Sequence, residues 1–230
     1  MQAILALEDG RLFQGKGYGA KGECYGEVVF NTSITGYQEI FTDPSYAGQI
    51  VVLTNPEIGN YGTNSDDNEA TRPYIEGLIV REFSRVSSNW RSQQVAEEYM
   101  EQFKIPVLAD IDSRALVRHL RDNGVMRGVI STLESDADKL VAKARSIPKM
   151  DGTDLAKVVS TNHTYVWETG ERSHRPDEVV GVKDEPPQYH VVAYDFGIKH
   201  NILRRLVQVG CRVTVVPAFA SAEEIGRAHV

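Results

Sequence analysis

Cys24 lies in a pattern that could support nucleophilic chemistry. The run from Gly22 to Gly26 matches G-x-C-x-G, the thiol counterpart of a nucleophile elbow. An elbow needs an apolar strand before the cysteine and a helix after it, because the amide groups at the helix N-terminus lower the thiol pKa. Here a glycine-rich segment precedes Cys24 and the strand-like run 27–30 follows it. We therefore predict a structural cysteine; an independent Cys24 thiol hydrolase is the enzyme alternative.

A second pattern is formed by Gly17, Gly19 and Gly22, which match the dinucleotide fingerprint G-x-G-x-x-G. That fingerprint binds a pyrophosphate only in the turn from a parallel strand into a helix. In this sequence a predicted hairpin precedes the glycines and a strand follows them. We interpret the segment as a glycine-rich, bulged loop and predict no cofactor in this chain.

The remaining candidates for catalysis or metal binding are the six histidines and Cys211. No pair of them has the spacing of metal ligands, and Cys211 begins an apolar run typical of a core strand. We therefore predict no metal site. With only two distant cysteines, a reducing cytoplasm fits better than a disulfide framework. The histidines are His119, His163, His174, His190, His200 and His229.

Composition sets the class of protein. The 230 residues are 41% hydrophobic and 25% charged, which is typical of a soluble globular chain of about one and a half domains. The 25 Lys and Arg against 32 Asp and Glu give a net charge of −7, so we predict no nucleic-acid partner. The N-terminus has no basic leader and no window reaches the ~18 apolar residues of a membrane span, so we also predict no membrane partner and a cytoplasmic location.

The first half of the chain alternates short strands with long irregular segments. Asp9-Gly10 favours a hairpin turn between the two runs that flank it. Two polar, glycine-containing stretches, Thr32 to Gly48 and Asn55 to Tyr74, are predicted to be irregular functional surfaces. The predicted strands are residues 3–7, 11–14, 27–30, 49–53 and 77–81.

From about Ser92 the pattern becomes helical. Val95, Tyr99 and Phe103 recur every four residues, and Asp112 can cap a helix that ends at Asn123-Gly124. Strands at 107–109 and 128–130 and a helix over 136–147 complete the unit. We predict an α+β domain.

The C-terminal part reads as strand, helix and strand. Residues 190–195 and 211–216 are apolar runs predicted as buried parallel strands, and residues 199–209 form an amphipathic helix ended by Gly210. This β-α-β unit is typical of the opening of a doubly wound sheet. A parallel sheet is stable chiefly when both faces are covered, so we expect residues 190–216 to be part of an unfinished domain.

Four segments in order and spacing closely resemble the small, glutamine-handling subunit of carbamoyl-phosphate synthetase. The likeness runs from about Leu7 to Glu224. The segments are GEVVFNTSITGYQEIFTDPSYAGQI (26–50), PEIGNYGTN (56–64), ADIDSR (109–114) and VVAYDFGIKHNILR (191–204).

The resemblance implies an N-terminal domain of the swivelling β/β/α type in residues 1–165, a linker over 166–189, and the start of a class I glutamine amidotransferase domain in 190–230. In the family the second domain hydrolyses glutamine with a Cys-His-Glu triad. That triad lies beyond residue 230, so no catalytic residue is assigned and this fragment is expected to be inactive.

The resemblance also implies a partner and a pathway. The small subunit supplies ammonia to a large subunit, which combines it with bicarbonate and ATP to make carbamoyl phosphate for pyrimidines and arginine. ATP and Mg²⁺ are therefore expected on the large subunit of the heterodimer. A complete, non-catalytic binding module that docks on the large subunit is the alternative.

One substrate-binding residue follows from the resemblance. Ser45 matches the family serine that contacts bound L-glutamine, and a turn serine after Pro44 has the freedom and the hydroxyl for this role. Tyr37 and Tyr61 are either interface anchors or aromatic residues packed inside the domain. A solvated arginine face, with partner contacts as an alternative, is expected for Arg114, Arg118 and Arg121.

The last six residues, Ile225–Val230, depart from the family pattern. A common sequencing-adapter reading, ATC GGA AGA GCA CAC GTC, translates to the same residues. We therefore expect this tail to be non-native.

Overall fold

The computed structural model describes residues 1–168 and 187–228. It divides into two compact units, Met1–Thr153 and Asp154–Val230. Most of the predicted linker, residues 169–186, lies outside the described residues. The predicted domain boundaries therefore stay a prediction.

The first unit is built around a mixed sheet that closes into a seven-stranded barrel. Its order is β1-β2-β8-β6-β4-β3-β9, and β9 pairs with β1 to close it. The strands are β1 Gln2–Leu7, β2 Leu12–Gly19, β3 Glu23–Asn31, β4 Gln49–Leu53, β5 Glu57–Ile58, β6 Gly77–Ile79, β7 Glu82–Phe83, β8 Pro106–Ala109 and β9 Met126–Ser131. The helices are α1 Tyr37–Thr42, a 3₁₀-helix Pro44–Tyr46, α2 Ala96–Gln102, α3 Ser113–Asn123 and α4 Ala137–Ser146.

The barrel interior is filled by side chains from all seven strands. Alternation along each strand explains this: in β4, Ile50 and Val52 point inward, whereas Val51 and Leu53 pack in the layer that contains α1 and α2. Helix α3 contributes Leu116 to the interior cluster. The interior strand residues include Leu5, Leu7, Phe13, Cys24, Val28, Ile50, Val52, Ile79, Leu108 and Ile130.

Several predicted elements of this unit are confirmed. The hairpin pairs β1 with β2 in antiparallel register, with Leu5 opposite Phe13. Helix α3 begins after Asp112, whose carboxylate accepts a hydrogen bond from the Ala115 amide at 2.9 Å, as its capping role requires. Helix α4 packs Leu140 and Ala144 on the outer face of the barrel.

Two predictions for this unit are wrong. The two long segments are not wholly irregular, because helix α1 and the 3₁₀-helix lie within Thr32 to Gly48 and strand β5 lies within Asn55 to Tyr74. Gly17 and Gly19 are not in a loop but in strand β2. The neighbouring side chains are close at this point of the strand: a Cβ atom on Gly17 would lie 2.9 Å from Met1 Cγ and 3.1 Å from Ala3 Cβ. Glycine fits in the strand there because it has no side chain.

The second unit contains a three-stranded sheet in the order β10-β12-β11. The predicted β-α-β is present, because β11 and β12 are parallel and α6 connects them. Strand β10 is antiparallel to β12, with Tyr165 opposite Val215. The elements are α5 Ala156–Val159, β10 Tyr165–Trp167, β11 Tyr189–Asp195, α6 His200–Gln208, β12 Cys211–Pro217 and α7 Ala222–Ala228.

The predicted burial of β11 is wrong. Only Asp195 of this strand is buried, whereas β12 is buried from Val213 to Pro217. Among the described residues, α6 packs on the sheet through the fully buried Leu203, and β11 lies at the sheet edge. Cys211, predicted to be core, is half-buried at the first position of β12, before the buried part of that strand begins.

The described part of the chain contains no helix that is both long and apolar enough to cross a membrane.

Of the tail predicted to be non-native, residues 225–228 belong to α7 and residues 229–230 lie outside the described residues. The origin of the tail stays a prediction.

Candidate functional site

Ser45 sits at the exposed tip of a rigid turn between α1 and β4. Asp43 is buried, and its carboxylate accepts a hydrogen bond from the Ser45 amide at 2.9 Å. Pro44 occupies the first helical position, where its fixed φ favours the 3₁₀-helix. Tyr46 accepts a hydrogen bond from Asn31 Nδ2 at 2.8 Å, which ties the turn to β3. The Ser45 backbone is therefore held in place.

A second layer of hydrogen bonds supports the helix before this turn. The Thr42 hydroxyl donates to the Gln38 carbonyl at 2.9 Å and accepts from the Glu69 amide at 2.8 Å. The Gln38 side chain in turn accepts from the Asn64 amide at 2.9 Å. Residues from the segments around 38–45 and 64–69 thus form one connected polar network. Such a network rigidifies a loop because every buried polar group in it is paired.

The Ser45 hydroxyl is available for a ligand. The residue is exposed, and its hydroxyl has no hydrogen-bond partner within residues 1–168 and 187–228. A serine hydroxyl offers one donor and two acceptor positions. The turn can therefore present a fixed hydrogen-bonding group to a polar ligand, such as an amino acid, without any rearrangement of the backbone.

Three carboxylates, those of Glu39, Asp67 and Glu69, lie close to one another in the part of the domain that contains this network. Burial raises the pKa of Glu39, and the nearby charges of Asp67 and Glu69 raise it further, while Arg91 opposes them. Arg91 also donates to Asp67 at 2.6 Å. Within the described residues, no group of three or more His, Cys, Asp and Glu side chains is placed to hold a metal ion. These acids therefore contribute local charge and hydrogen bonding.

The two tyrosines are packed inside the domain. Tyr37 is 1% exposed, and its ring stacks on Tyr61 with centroids 4.0 Å apart. The Tyr61 hydroxyl accepts hydrogen bonds from the amides of Gly36 and Tyr37 at 2.8 and 3.0 Å. Of the two interpretations left open by the sequence, the structure supports internal packing, because these groups already have partners within the unit.

Cys24 is a structural cysteine, as predicted. Its side chain points into the barrel, and burial raises the pKa of the thiol to about 12. The nearby charge of Glu76 acts in the same direction as burial. A nucleophilic cysteine needs the opposite environment, with partial exposure and nearby positive charge. The segment around it is strand, turn and strand, so neither an elbow nor a dinucleotide fingerprint is formed.

The described histidines lie apart from one another. His119 contacts Asp9 Oδ2 at 2.6 Å, and His190 contacts the Thr214 hydroxyl at 2.8 Å. The ring of His163 lies near Tyr165, and that of His200 near Trp167. His174 and His229 are outside the described residues. The hydrogen-bond partners of His119 and His163 are aspartate and asparagine side chains, not the cysteine or serine that a catalytic base would activate.

The predicted arginine face of α3 lines a groove. Arg114, Arg118 and Arg121 are exposed and share this groove with Thr54. The helical spacing of these arginines is visible in the sequence, but the groove is not. Detecting it from the sequence would require knowing that residue 54, at the end of β4, lies beside α3 across the barrel.

Comparison with known proteins gives the same family across nearly the whole chain. Residues 5–130 match the family model described as "Carbamoyl-phosphate synthase small chain, CPSase domain". The carbamoyl phosphate synthase small chain of Syntrophotalea carbinolica is 53% identical over 98% of this chain and 59% of its own length. The small chain of Vibrio cholerae is 50% identical over 97% of this chain and 59% of its own length. The small chain of Ralstonia nicotianae is 50% identical over 96% of this chain and 58% of its own length.

Among solved structures, an aminopeptidase from Aneurinibacillus sp. strain AM-1 aligns with 98% of this chain and with 54% of the aminopeptidase chain. The sequence identity is 10% and the TM-score is 0.32, so this likeness is too weak to support any argument.

The chain spans about 59% of the length of the curated relatives named above. The family model covers more than half of the chain, and the resemblance stated from the four sequence motifs is confirmed. This chain belongs to the carbamoyl-phosphate synthase small chain family.

Proposed function

We propose that this chain is the N-terminal portion of the small subunit of a glutamine-dependent carbamoyl-phosphate synthetase. In that enzyme the small subunit hydrolyses glutamine and passes ammonia to a large subunit, which forms carbamoyl phosphate from bicarbonate and ATP. The observation that carries the proposal is the identity of 48–53% with curated small chains over almost all of this chain. The product would serve pyrimidine and arginine biosynthesis.

We propose that the first unit is the family's swivelling N-terminal domain and that the β-α-β of the second unit opens a class I glutamine amidotransferase domain. The closed barrel and the parallel pair β11 and β12 support this assignment. The catalytic Cys-His-Glu set would lie in the share of the relatives' length that this chain does not span. The buried, high-pKa thiol of Cys24 supports the view that these 230 residues do not hydrolyse glutamine by themselves.

Ser45 is the residue that we propose to contact L-glutamine. Its exposed hydroxyl and its hydrogen-bonded backbone support this role, because a fixed donor loses little entropy on binding a substrate. A chimaera tests it: residues 1–224 joined to the remaining part of the Syntrophotalea carbinolica small chain, with and without Ser45→Ala. We expect a raised KM for glutamine with a smaller change in kcat. Ser33→Ala, in another exposed loop, is the matched control.

The partner and the cellular setting are proposals of the same kind. ATP and Mg²⁺ would bind to the large subunit, and the heterodimer would work in the cytoplasm, where the free thiols of Cys24 and Cys211 stay reduced. The experiment is size-exclusion chromatography of the 230-residue chain mixed with purified large subunit. Co-elution is the expected result. Separate elution at micromolar concentrations of both proteins would contradict the proposed docking.

A further inference from the structure

A groove runs along helix α3 in the first unit. Its volume is about 490 Å³. Val117 supplies an apolar part of the lining, and Thr54 and Ser113 add hydroxyl groups. The residues that line it are Thr54, Ser113, Arg114, Val117, Arg118 and Arg121.

The positive charge of this groove is largely uncompensated. Arg114 and Arg118 are exposed and have no acidic partner within the described residues. Arg121 has one weak contact, with Asp122 Oδ1 at 3.7 Å, and both side chains are more than 60% exposed. Asp112, the nearest acid before these arginines in the sequence, is used in capping the Ala115 amide. The described part of a chain with a net charge of −7 therefore carries a concentrated cationic groove.

The spacing of the arginines selects the kind of anion. Positions 114, 118 and 121 fall on one helix face, and the first and last are separated by seven helical steps, about 10 Å along the helix axis. One carboxylate pairs with one guanidinium group through its two oxygens, so pairing all three arginines in this way takes several carboxylates. Alternate side chains of an extended peptide are about 6.5 Å apart, so two or three carboxylates on one such segment match this length. Arginine binds carboxylates through two parallel hydrogen bonds, which favours this chemistry.

We propose that the α3 groove is the docking site for an extended acidic segment of the large subunit. This inference rests on the proposed function, because that function supplies the partner. Charge complementarity is the argument for the occupant, because three arginines from one helix line the groove. Val117 can pack against the stem of a Glu or an apolar residue between the acids.

The test is binding of the 230-residue chain to purified large subunit, measured by biolayer interferometry at several salt concentrations. We compare the wild-type chain with the double variant Arg114→Gln/Arg118→Gln. The control is Lys21→Gln/Lys104→Gln, which removes the same charge from exposed lysines outside the groove. We expect the arginine variant to bind about tenfold more weakly and to depend less on salt. The lysine variant should retain the wild-type affinity.

Three results would overturn the inference. Equal affinity of the arginine variant and the wild type would show that docking uses another surface, and would leave the proposed function intact. Equal weakening by the lysine control would show an effect of net charge alone. Failure of the wild-type chain to bind would refute the proposed docking itself.

A second measurement keeps the test independent of the partner's fold. Synthetic hexaglutamate and inorganic phosphate are titrated separately into the chain, and the arginine Nε–H resonances are followed by NMR. We expect hexaglutamate to shift the signals of Arg114 and Arg118, and phosphate at the same concentration to leave them unchanged. Equal shifts with phosphate would indicate a site for a single small anion, which contradicts the proposal of an extended segment.

Discussion

Strand β1 in the barrel and strand β11 in the second unit have similar apolar sequences but different environments. In β1, every residue from Ala3 to Leu7 is buried, whereas in β11 only Asp195 is buried. The barrel provides β1 with a filled interior on one face and helix α4 on the other. The sheet of the second unit places β11 at an edge, with α6 as its packed helix among the described residues.

The comparison shows that an apolar strand sequence specifies pairing but not burial. Burial depends on what covers each face, and that depends on distant parts of the chain. In the barrel, strands from residues 2 to 131 supply the cover for each other. The first unit should therefore be stable and chemically inert inside, and the second more accessible to solvent and reagents.

Thiol reactivity should show the largest difference between the two regions. We expect Cys211 to react with iodoacetamide at pH 7.5 at least about a hundred times faster than Cys24, because only the thiolate reacts and burial holds the pKa of Cys24 at about 12. Mass spectrometry of tryptic peptides over time measures both rates in one sample. Comparable rates would mean that the barrel interior opens readily.

Truncation of an apolar strand residue should lower the free energy of unfolding more in the barrel than in the second unit. Leu5→Ala removes a fully buried side chain from the barrel interior and should lower the free energy of unfolding by about 3 kcal/mol. Val191→Ala, in half-buried β11, should cost less than about 1 kcal/mol. The two losses of free energy are measured by urea denaturation, with hydrogen exchange used to monitor the unfolding of each unit separately. A larger loss for Val191→Ala would reverse the comparison.

The tight packing of the barrel predicts a specific coupling. A Cβ atom on Gly77 would lie 2.5 Å from the Cys24 sulfur, so Gly77→Ala should destabilise the chain by about 1–3 kcal/mol. Cys24→Ala removes that sulfur. In the Gly77→Ala/Cys24→Ala variant, the combined loss should be smaller than the sum of the two single losses. Additive losses in thermal unfolding would show that the two sites do not touch.

Acid sensitivity should reside in the barrel. Glu8 accepts hydrogen bonds from the Arg127 amide at 2.8 Å and from Arg127 Nε at 2.9 Å, and these lower the pKa of its carboxyl below 4.5. A lowered folded-state pKa gives stability that is present above the unfolded value and is lost as the pH falls through the folded one. Glu8→Gln should therefore reduce the stability difference between pH 7 and pH 3. An unchanged difference would exclude this pair as its source.

The sequence predicted elements that depend on local signals. The cap at Asp112, the hairpin turn at Asp9-Gly10 and the β-α-β near the C-terminus all have such signals within a few residues. Helix α1 was missed although Tyr37, Ile40 and Phe41 have helical spacing, because the surrounding Gly, Thr, Asp and Pro indicated a loop.

Features that depend on distant contacts could not be predicted. Closure of the barrel pairs β1 with β9, more than 120 residues apart, and no local pattern encodes that contact. The candidate site shows the same division. The resemblance predicts Ser45 as a contact for glutamine, whereas the hydrogen bonds from Asn31 and Glu69 that hold the chain on either side of it form only in the folded protein.

The most direct test is glutamate release by the 230-residue chain, measured beside the full-length Syntrophotalea carbinolica small chain under the same conditions. The prediction is activity for the relative and no release above the buffer rate for this chain, because its buried Cys24 cannot act as a nucleophile. Steady release from the purified chain that disappears in Cys24→Ala would contradict it.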